Sequence, residues 1–244
     1  MTIKILINGA HGKMGQITVT TLNQHPAFQL VGTIGKDQRL AEEIEKTCPD
    51  IVIDFTHAGV VFQNTETILK AKIRPVIGTS GLLQPEVSAL QALAVSQGVG
   101  GIIAPNFSLG AVLLMKAAQD IVKYYPDVEI IEMHHPQKLD SPSGTAVRTA
   151  ELLSDARGPQ VRAKPAYRET IPGALGASYQ NIPIHAVRLS GFLAHQQIIF
   201  GGQGETLTLR HDTSDRQCFM SGVVLACRKV MGLKTLVYGL EHIL

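Results

Sequence analysis

The chain has 244 residues, 45% of them hydrophobic and 17% charged, which is enough apolar material for a buried core and excludes a disordered polyelectrolyte. Twenty-two basic side chains stand against twenty acidic ones, a net charge of +2, which argues against nucleic acid as a partner. The three cysteines, Cys48, Cys218 and Cys227, have no CxxC spacing, which argues against a disulfide framework and a structural zinc site and fits a reducing compartment. The first residues move at once into a strand pattern without the features of a signal peptide. No apolar stretch reaches the ~20 residues of a membrane helix, so the expectation is a cytoplasmic protein without membrane contact.

In chain order, 3–7 reads as a buried strand, 14–25 as a helix ended by Pro26, 28–34 as a strand and 39–47 as a helix. A strand at 50–55, a helix at 59–72, a strand at 74–79, a helix at 85–97 and a strand at 99–105 follow. Strands alternating with helices mean βαβ units and a parallel sheet, and near-continuous apolar strands fit a sheet covered on both faces. The rhythm then changes to a longer helix at 109–125, a strand at 127–135, and a helix from about 143 to 156. A loop-rich stretch at 157–183 precedes three strands at 184–190, 196–200 and 205–211 and a last helix at 215–231. The predicted fold class is α/β: an N-terminal Rossmann-type dinucleotide-binding domain plus a C-terminal α+β domain with a mixed, mainly antiparallel sheet. The expected domains are 1–105 with 215–244 for the dinucleotide, and 106–214 for substrate binding and oligomerisation. The last helix fits against either.

"INGAHGKMG" sets Gly9, Gly12 and Gly15 between the first strand and the first helix. In a dinucleotide fold the first glycine makes the tight turn, the second lets backbone approach a pyrophosphate, and the third lets helix and strand pack closely. The helix start adds unpaired N–H groups and a partial positive charge. A P-loop fails on spacing, since two residues rather than four separate the glycines and Met14, not Ser or Thr, follows Lys13. A purely structural tight turn is the plainer alternative. At the end of the second strand, Gly35 stands where an acidic residue often binds the ribose hydroxyls of NAD, and Lys36 follows. A missing carboxylate beside a cation should tolerate or favour the 2′-phosphate of NADP, whereas Asp37, one place on, would restore a contact of the NAD type. NADPH is expected to serve at least as well as NADH.

The densest polar cluster is "EMHHPQKLDSPSGTA", residues 132–146. Ser143, Gly144 and Thr145 open a helix and offer N–H and hydroxyl donors to an anion, with Lys138 as a nearby cation. Such a site suits a carboxylate or phosphate, although "SPSGTA" also reads simply as a helix cap. His134 and His135 are both candidate proton donors near neutral pH. Adjacent strand residues point to opposite faces, so the two have different tasks and no metal is expected. "DFT" (54–56), "GTSG" (78–81) and "APNFS" (104–108) each follow a strand of the parallel sheet, at the edge where such sheets bind ligands.

Taken together, "GAHGKMG", "DFT", "GTSG", "APNFS", "EMHHPQKLDSPSGTA", "AVRLSG" (186–191) and "HDTSDRQCFMSGVVLA" (211–226) resemble the 4-hydroxy-tetrahydrodipicolinate reductase (dihydrodipicolinate reductase) family of the diaminopimelate and lysine pathway. The histidine–lysine–"PSGTA" stretch is its specific part. The resemblance implies hydride transfer from NADPH and/or NADH to a small cyclic dicarboxylate, in a protein that is usually a homotetramer. It implies His134 as the proton donor, supported by Lys138, which also binds substrate. His135 would meet one carboxylate, with Gly144 and Thr145 on the other. On the cofactor side it implies Gly9, Gly12, Lys13, Met14 and Gly15 around the pyrophosphate. Phe55, Thr56, Gly78, Thr79 and Ser80 would lie near ribose and nicotinamide, with Ala104, Asn106, Phe107 and Arg216 nearby. The chain departs from the family pattern at Gly35, at Gln137, where a further basic residue is common, and in "RLSGFLAHQQ" (188–197), which lacks an acid. A semialdehyde or amino-acid dehydrogenase would need a catalytic cysteine or another lysine–aspartate arrangement, and a dinucleotide sensor would not need His134 and Lys138. Cys218 and Cys227 read as core residues of the last helix.

Overall fold

The computed structural model describes residues 2–36, 38–159 and 167–244. Asp37 and part of the expected loop-rich stretch lie outside the described residues. The first half alternates β1 (Ile3–Asn8), α1 (Lys13–Asn23), β2 (Phe28–Ile34), α2 (Leu40–Thr47), β3 (Ile51–Asp54), α3 (Val61–Lys70), β4 (Arg74–Ile77), α4 (Gln84–Gln97) and β5 (Gly101–Ile103). The second half contains α5 (Leu109–Ile121), β6 (Asp127–His134), α6 (Gly144–Arg157), β7 (Ala177–Tyr179), β8 (Ile182–Arg188), β9 (Ala194–Gly202) and β10 (Glu205–Thr213). The chain ends with a 3-10 turn (Arg216–Phe219), α7 (Met220–Lys229), a second 3-10 turn (Val230–Gly232), β11 (Leu236–Tyr238) and a third (Leu240–Ile243). Contacts divide it into one unit of Met1–Leu109 with Arg216–Leu244 and another of Gly110–Asp215.

The first unit is built on a parallel sheet of order β2-β1-β3-β4-β5-β11. Ile5, Leu6 and Ile7 of β1 and Ile51, Val52 and Ile53 of β3 are all fully buried, consecutive residues included, so helices cover both faces. β1 pairs with β2 on one side and β3 on the other, which puts the reversal of strand order between β1 and β3. The carboxyl ends of those two strands, Asn8 beside Asp54, frame the crevice where open α/β sheets bind ligands. The last helix packs in this unit. Gly222 of α7 lies so close to the Phe107 carbonyl that a Cβ would come within 2.0 Å of its oxygen.

The second unit carries a five-stranded sheet of order β10-β9-β6-β8-β7, in which only β6 and β8 run parallel. Burial alternates along β6, with Val128, Ile130 and Glu132 inside, and along β9, with Gln196, Ile198 and Phe200 inside. That inner face packs against the Ala146, Thr149, Ala150, Leu153 and Arg157 stripe of α6.

Two short strands escape the sequence pattern, because three residues hold too few periods to read. β7 sits in the stretch expected to be loop and joins β8 through Gln180 and Asn181, both at positive φ as a tight hairpin turn demands. β11 follows the last helix and extends the parallel sheet. The expected helix at 215–231 is an α-helix flanked by two 3-10 turns. Among the described residues no helix is long and apolar enough to cross a membrane.

Candidate active site

At the end of β1, Gly9 has φ +80° and its N–H bonds the Ile34 carbonyl at 3.1 Å, which anchors the turn on β2. A Cβ on Gly9 would lie 2.4 Å from the Phe55 carbonyl oxygen, and one on Gly15 would lie 2.2 Å from the Gly9 carbonyl oxygen. Both glycines are needed by the protein itself. Gly12 differs, since nothing comes closer than 3.4 Å to its missing Cβ and it is exposed. It is also the N-cap of α1 and supplies no side-chain cap, so the helix start presents its N–H groups outward. Lys13 is exposed beside it and Met14 half-buried. That is the cradle a pyrophosphate fits. The His11 imidazole lies against Gly35, 2.7 Å from where a Cβ would stand, and Lys36 is exposed beside it.

The turns after β3 and β4 are joined through a fully buried carboxylate, Asp54. Thr56 and Thr79 both turn their hydroxyls onto its Oδ1, at 2.7 and 2.6 Å. A Cβ on Gly78 would lie 2.1 Å from the Phe55 ring and 2.8 Å from that of Phe107, and those rings meet edge to face with centroids 5.9 Å apart. Ser80 is exposed, Ala104 buried, and Asn106 accepts the Ser108 N–H at 2.8 Å. Arg216, at the return into this unit, is half-buried in its 3-10 turn.

In the second unit the chemistry gathers at the end of β6. Strand alternation puts Glu132 and His134 on one face, and Glu132 is fully buried. His134 Nδ1 lies 2.5 Å from Glu132 Oε2. Arg188 reaches across from β8 and donates to both carboxylate oxygens at 2.8 Å, and the Ser143 N–H donates to Oε1 at 3.0 Å. Burial alone would raise the Glu132 carboxyl, but the hydrogen bonds from His134, Arg188 and Ser143 outweigh it and hold the pKa down at about 2. An ionised carboxylate only accepts, so His134 must carry a proton on Nδ1, leaving Nε2 as its exchanging nitrogen. The ring is 14% exposed.

Arg188 also donates to the carbonyls of Lys138 (3.3 Å) and Asp140 (2.7 Å), so it sets the loop that follows the histidines. Lys138 Nζ bonds both Asp140 oxygens at 2.8 Å, and this ammonium holds the Asp140 carboxyl below the usual range. His135 keeps a buried Nδ1 without a hydrogen-bond partner. Ser143 is the N-cap of α6, its Oγ accepting the Ala146 N–H at 3.2 Å. Gly144 is exposed with open space where a Cβ would stand, and Thr145 follows in the first turn.

The sequence reading named His134, Lys138 and the helix start but not Glu132, Arg188, Asp140 or Asp54. Glu132 was legible in principle as a carboxylate in phase with the apolar Val128 and Ile130 of the same strand. Among the described residues no group of three or more His, Cys, Asp or Glu is placed to hold a metal. Cys227 is fully buried and burial pushes its thiol up to about 12, which disqualifies it as a nucleophile.

A parallel sheet with a glycine turn at its switch point, in one chain with a carboxylate-oriented histidine, defines a nicotinamide-dinucleotide-dependent oxidoreductase. Residues 3–107 match the family model "Dihydrodipicolinate reductase, N-terminus" and residues 110–244 match "Dihydrodipicolinate reductase, C-terminus". The chain belongs to the dihydrodipicolinate reductase family. The 4-hydroxy-tetrahydrodipicolinate reductase of Legionella pneumophila (strain Paris) is 48% identical over 244 residues, with 100% of both chains covered. Its counterpart in Geobacillus kaustophilus (strain HTA426) is 47% identical over 264 residues, again covering 100% of each. The dipicolinate-bound dihydrodipicolinate reductase from Paenisporosarcina sp. TG-14 is similar in structure, with a TM-score of 0.92, 45% identity and 100% of both chains covered.

Proposed function

We propose that the protein reduces 4-hydroxy-tetrahydrodipicolinate, which reaches the dihydrodipicolinate level by losing its hydroxyl as water, to tetrahydrodipicolinate with NADPH and/or NADH, in diaminopimelate and lysine biosynthesis. The bound dinucleotide supplies the hydride. The observation that carries the reading is the buried Glu132 holding His134 at 2.5 Å beside the exposed start of α6. His134 gives its Nε2 proton to the ring carbon next to the one that takes the hydride, and its Nδ1–H stays on Glu132 throughout. Substrate carries two carboxylates and the cluster offers two anion sites. Gly144 and Thr145 at the start of α6 receive one, with Ser143 holding that start in shape. His135, whose buried Nδ1 lacks a partner, and Lys138 receive the other, the carboxylate replacing Asp140 on the ammonium.

On the cofactor side, Gly9, Gly12, Lys13, Met14 and Gly15 hold the pyrophosphate. Phe55, Thr56, Gly78, Thr79, Ser80, Ala104, Asn106, Phe107 and Arg216 form the ribose and nicotinamide end. Lys36 favours NADPH, which agrees with the His11 ring occupying the side of Gly35 where a ribose-binding carboxylate would project. The enzyme works in the cytoplasm as a homotetramer assembled through the second sheet, whose outer face leaves Ile131 and Ile199 only half-buried.

The test is NADPH oxidation with freshly generated substrate, competed by pyridine-2,6-dicarboxylate. Turnover inhibited by the dicarboxylate supports the reading. Tight NADPH binding without turnover would leave a dinucleotide sensor instead.

A further inference from the structure

We infer that Asp54 is a positioning residue for the nicotinamide half of the dinucleotide. It shapes the two turns on which that half rests while the glycine turn holds the pyrophosphate. The inference rests on the reading of the chain as an NAD(P)H-dependent reductase.

Asp54 ends β3, is fully buried, and gathers donors from four places in the chain. Its Oδ1 accepts the Thr79 hydroxyl at 2.6 Å, the Thr56 hydroxyl at 2.7 Å and the Thr56 N–H at 3.1 Å. Its Oδ2 accepts the side-chain amides of Asn8 and Asn64, each at 2.9 Å. Among the described residues this charge is met by hydrogen bonds alone. Five donors converge on a group with about four acceptor positions, so each is held closely in place.

The consequence lies in what the donors belong to. Asn8 is the last residue of β1, immediately before the glycine turn, and Asn64 lies on α3. Thr56 and Thr79 belong to the turns after β3 and β4, at the carboxyl edge where parallel sheets bind ligands. Their hydroxyls are spent inward. Thr79 Oγ1 donates to Asp54 and accepts the Thr56 N–H at 2.8 Å, and Asn64 donates to the Thr56 hydroxyl at 3.2 Å. Both threonines therefore act as struts between the carboxylate and the backbone.

What the struts hold is an aromatic wall. Phe55 lies between Asp54 and Thr56, its N–H on the Asn8 carbonyl at 2.9 Å. The Gly78 N–H bonds the Asp54 carbonyl at 2.9 Å, and a Cβ at Gly78 would strike both Phe55 and Phe107. The two rings and the two turns are packed without slack, so a displacement of the Asp54 carboxylate moves the whole surface. The Gly12 helix start draws on none of these bonds.

The separation is testable because the ligand comes in two halves. Asp54→Asn leaves one acceptor oxygen and turns an amide N–H2 toward two other amides. NADPH and 2′-phospho-ADP, the same molecule without its nicotinamide riboside, are titrated calorimetrically against both proteins. The expected result is an NADPH Kd raised about tenfold or more, the size expected when hydrogen bonds to a carboxylate are lost, with 2′-phospho-ADP within about twofold of wild type. The fall in kcat should exceed any rise in KM for the dicarboxylate substrate. Asp54→Asn combined with Asn64→Asp returns a carboxylate to the same cluster and should recover most of the lost NADPH affinity. If Asp54→Asn does not fold, Asn64→Ala, which removes one donor from a half-buried position, carries the same comparison in weaker form. Equal weakening of both ligands, no change in either, or no recovery in the swapped pair would overturn the inference. A wild-type protein that binds neither ligand would instead remove the reductase reading beneath it.

Discussion

Glu132 ties the acid-base chemistry to stability through one carboxylate. Its carboxyl sits at about 2 in the folded protein against an ordinary 4.5. The folded state thus gains from its ionised form above pH 4.5 and loses that gain as the pH falls from 4.5 through about 2. The depression is linked to about 3 kcal/mol. Glu132→Gln should therefore be less stable than wild type at neutral pH, with the gap closing between pH 4.5 and 2, measured by urea unfolding at several pH values. A gap constant across that range would contradict the ionised carboxylate. Asp140 makes a different prediction. Asp140→Asn frees the Lys138 ammonium, so KM for the dicarboxylate should fall while kcat stays within about twofold, whereas Lys138→Ala should lower kcat and raise KM together. At this scale the sequence exposes the groups proposed to face a ligand, because histidine pairs and a Ser-Gly-Thr helix start are unusual strings. It conceals the groups behind them. Arg188 lies 56 residues beyond Glu132 and meets it only because β8 and β6 run side by side.

At the scale of elements, the three glycines of the first turn divide by task. Gly15→Ala drives a Cβ onto the Gly9 carbonyl and should cost ~2–4 kcal/mol of stability, with dinucleotide binding lost as the turn is displaced. Gly12→Ala meets no such obstacle, so Tm should stay within about 2 °C while NADPH affinity falls about tenfold or more. Thermal melts and titrations of the two variants check this, and a Gly12→Ala protein that binds NADPH normally would contradict the cradle. The alternation from β1 to β5 was legible because these strands are mostly apolar runs and the helices between them exceed two turns. β6, β9 and β10 were legible by alternation, though their bounds shifted by a residue or two. β7 and β11 were not, since pairing with β8 and β5, rather than composition, makes them strands. The last helix also frays into 3-10 turns at both ends, which no hydrophobic period records.

At the scale of the molecule, the chain leaves its first unit at α5 and returns at Arg216, so the parallel sheet is completed only by its final strand. The family motifs span that whole path, and the two family models together cover residues 3–107 and 110–244. Sedimentation of the purified protein should give a tetramer, and a monomer at micromolar concentration would contradict the proposed assembly. With Gly35 under the His11 ring and Lys36 exposed, kcat/KM for NADPH should equal or exceed that for NADH. The central claim is that His134, held by Glu132, supplies the proton in a dinucleotide-dependent reduction of a cyclic dicarboxylate. Steady-state NADPH oxidation by wild type, His134→Gln and His135→Gln tests it most directly. The account predicts turnover by wild type, a kcat lowered by roughly 10²–10⁴ in His134→Gln with KM for NADPH little changed, and a raised dicarboxylate KM in His135→Gln. Near-normal kcat in His134→Gln, with the loss falling on His135→Gln instead, would contradict it.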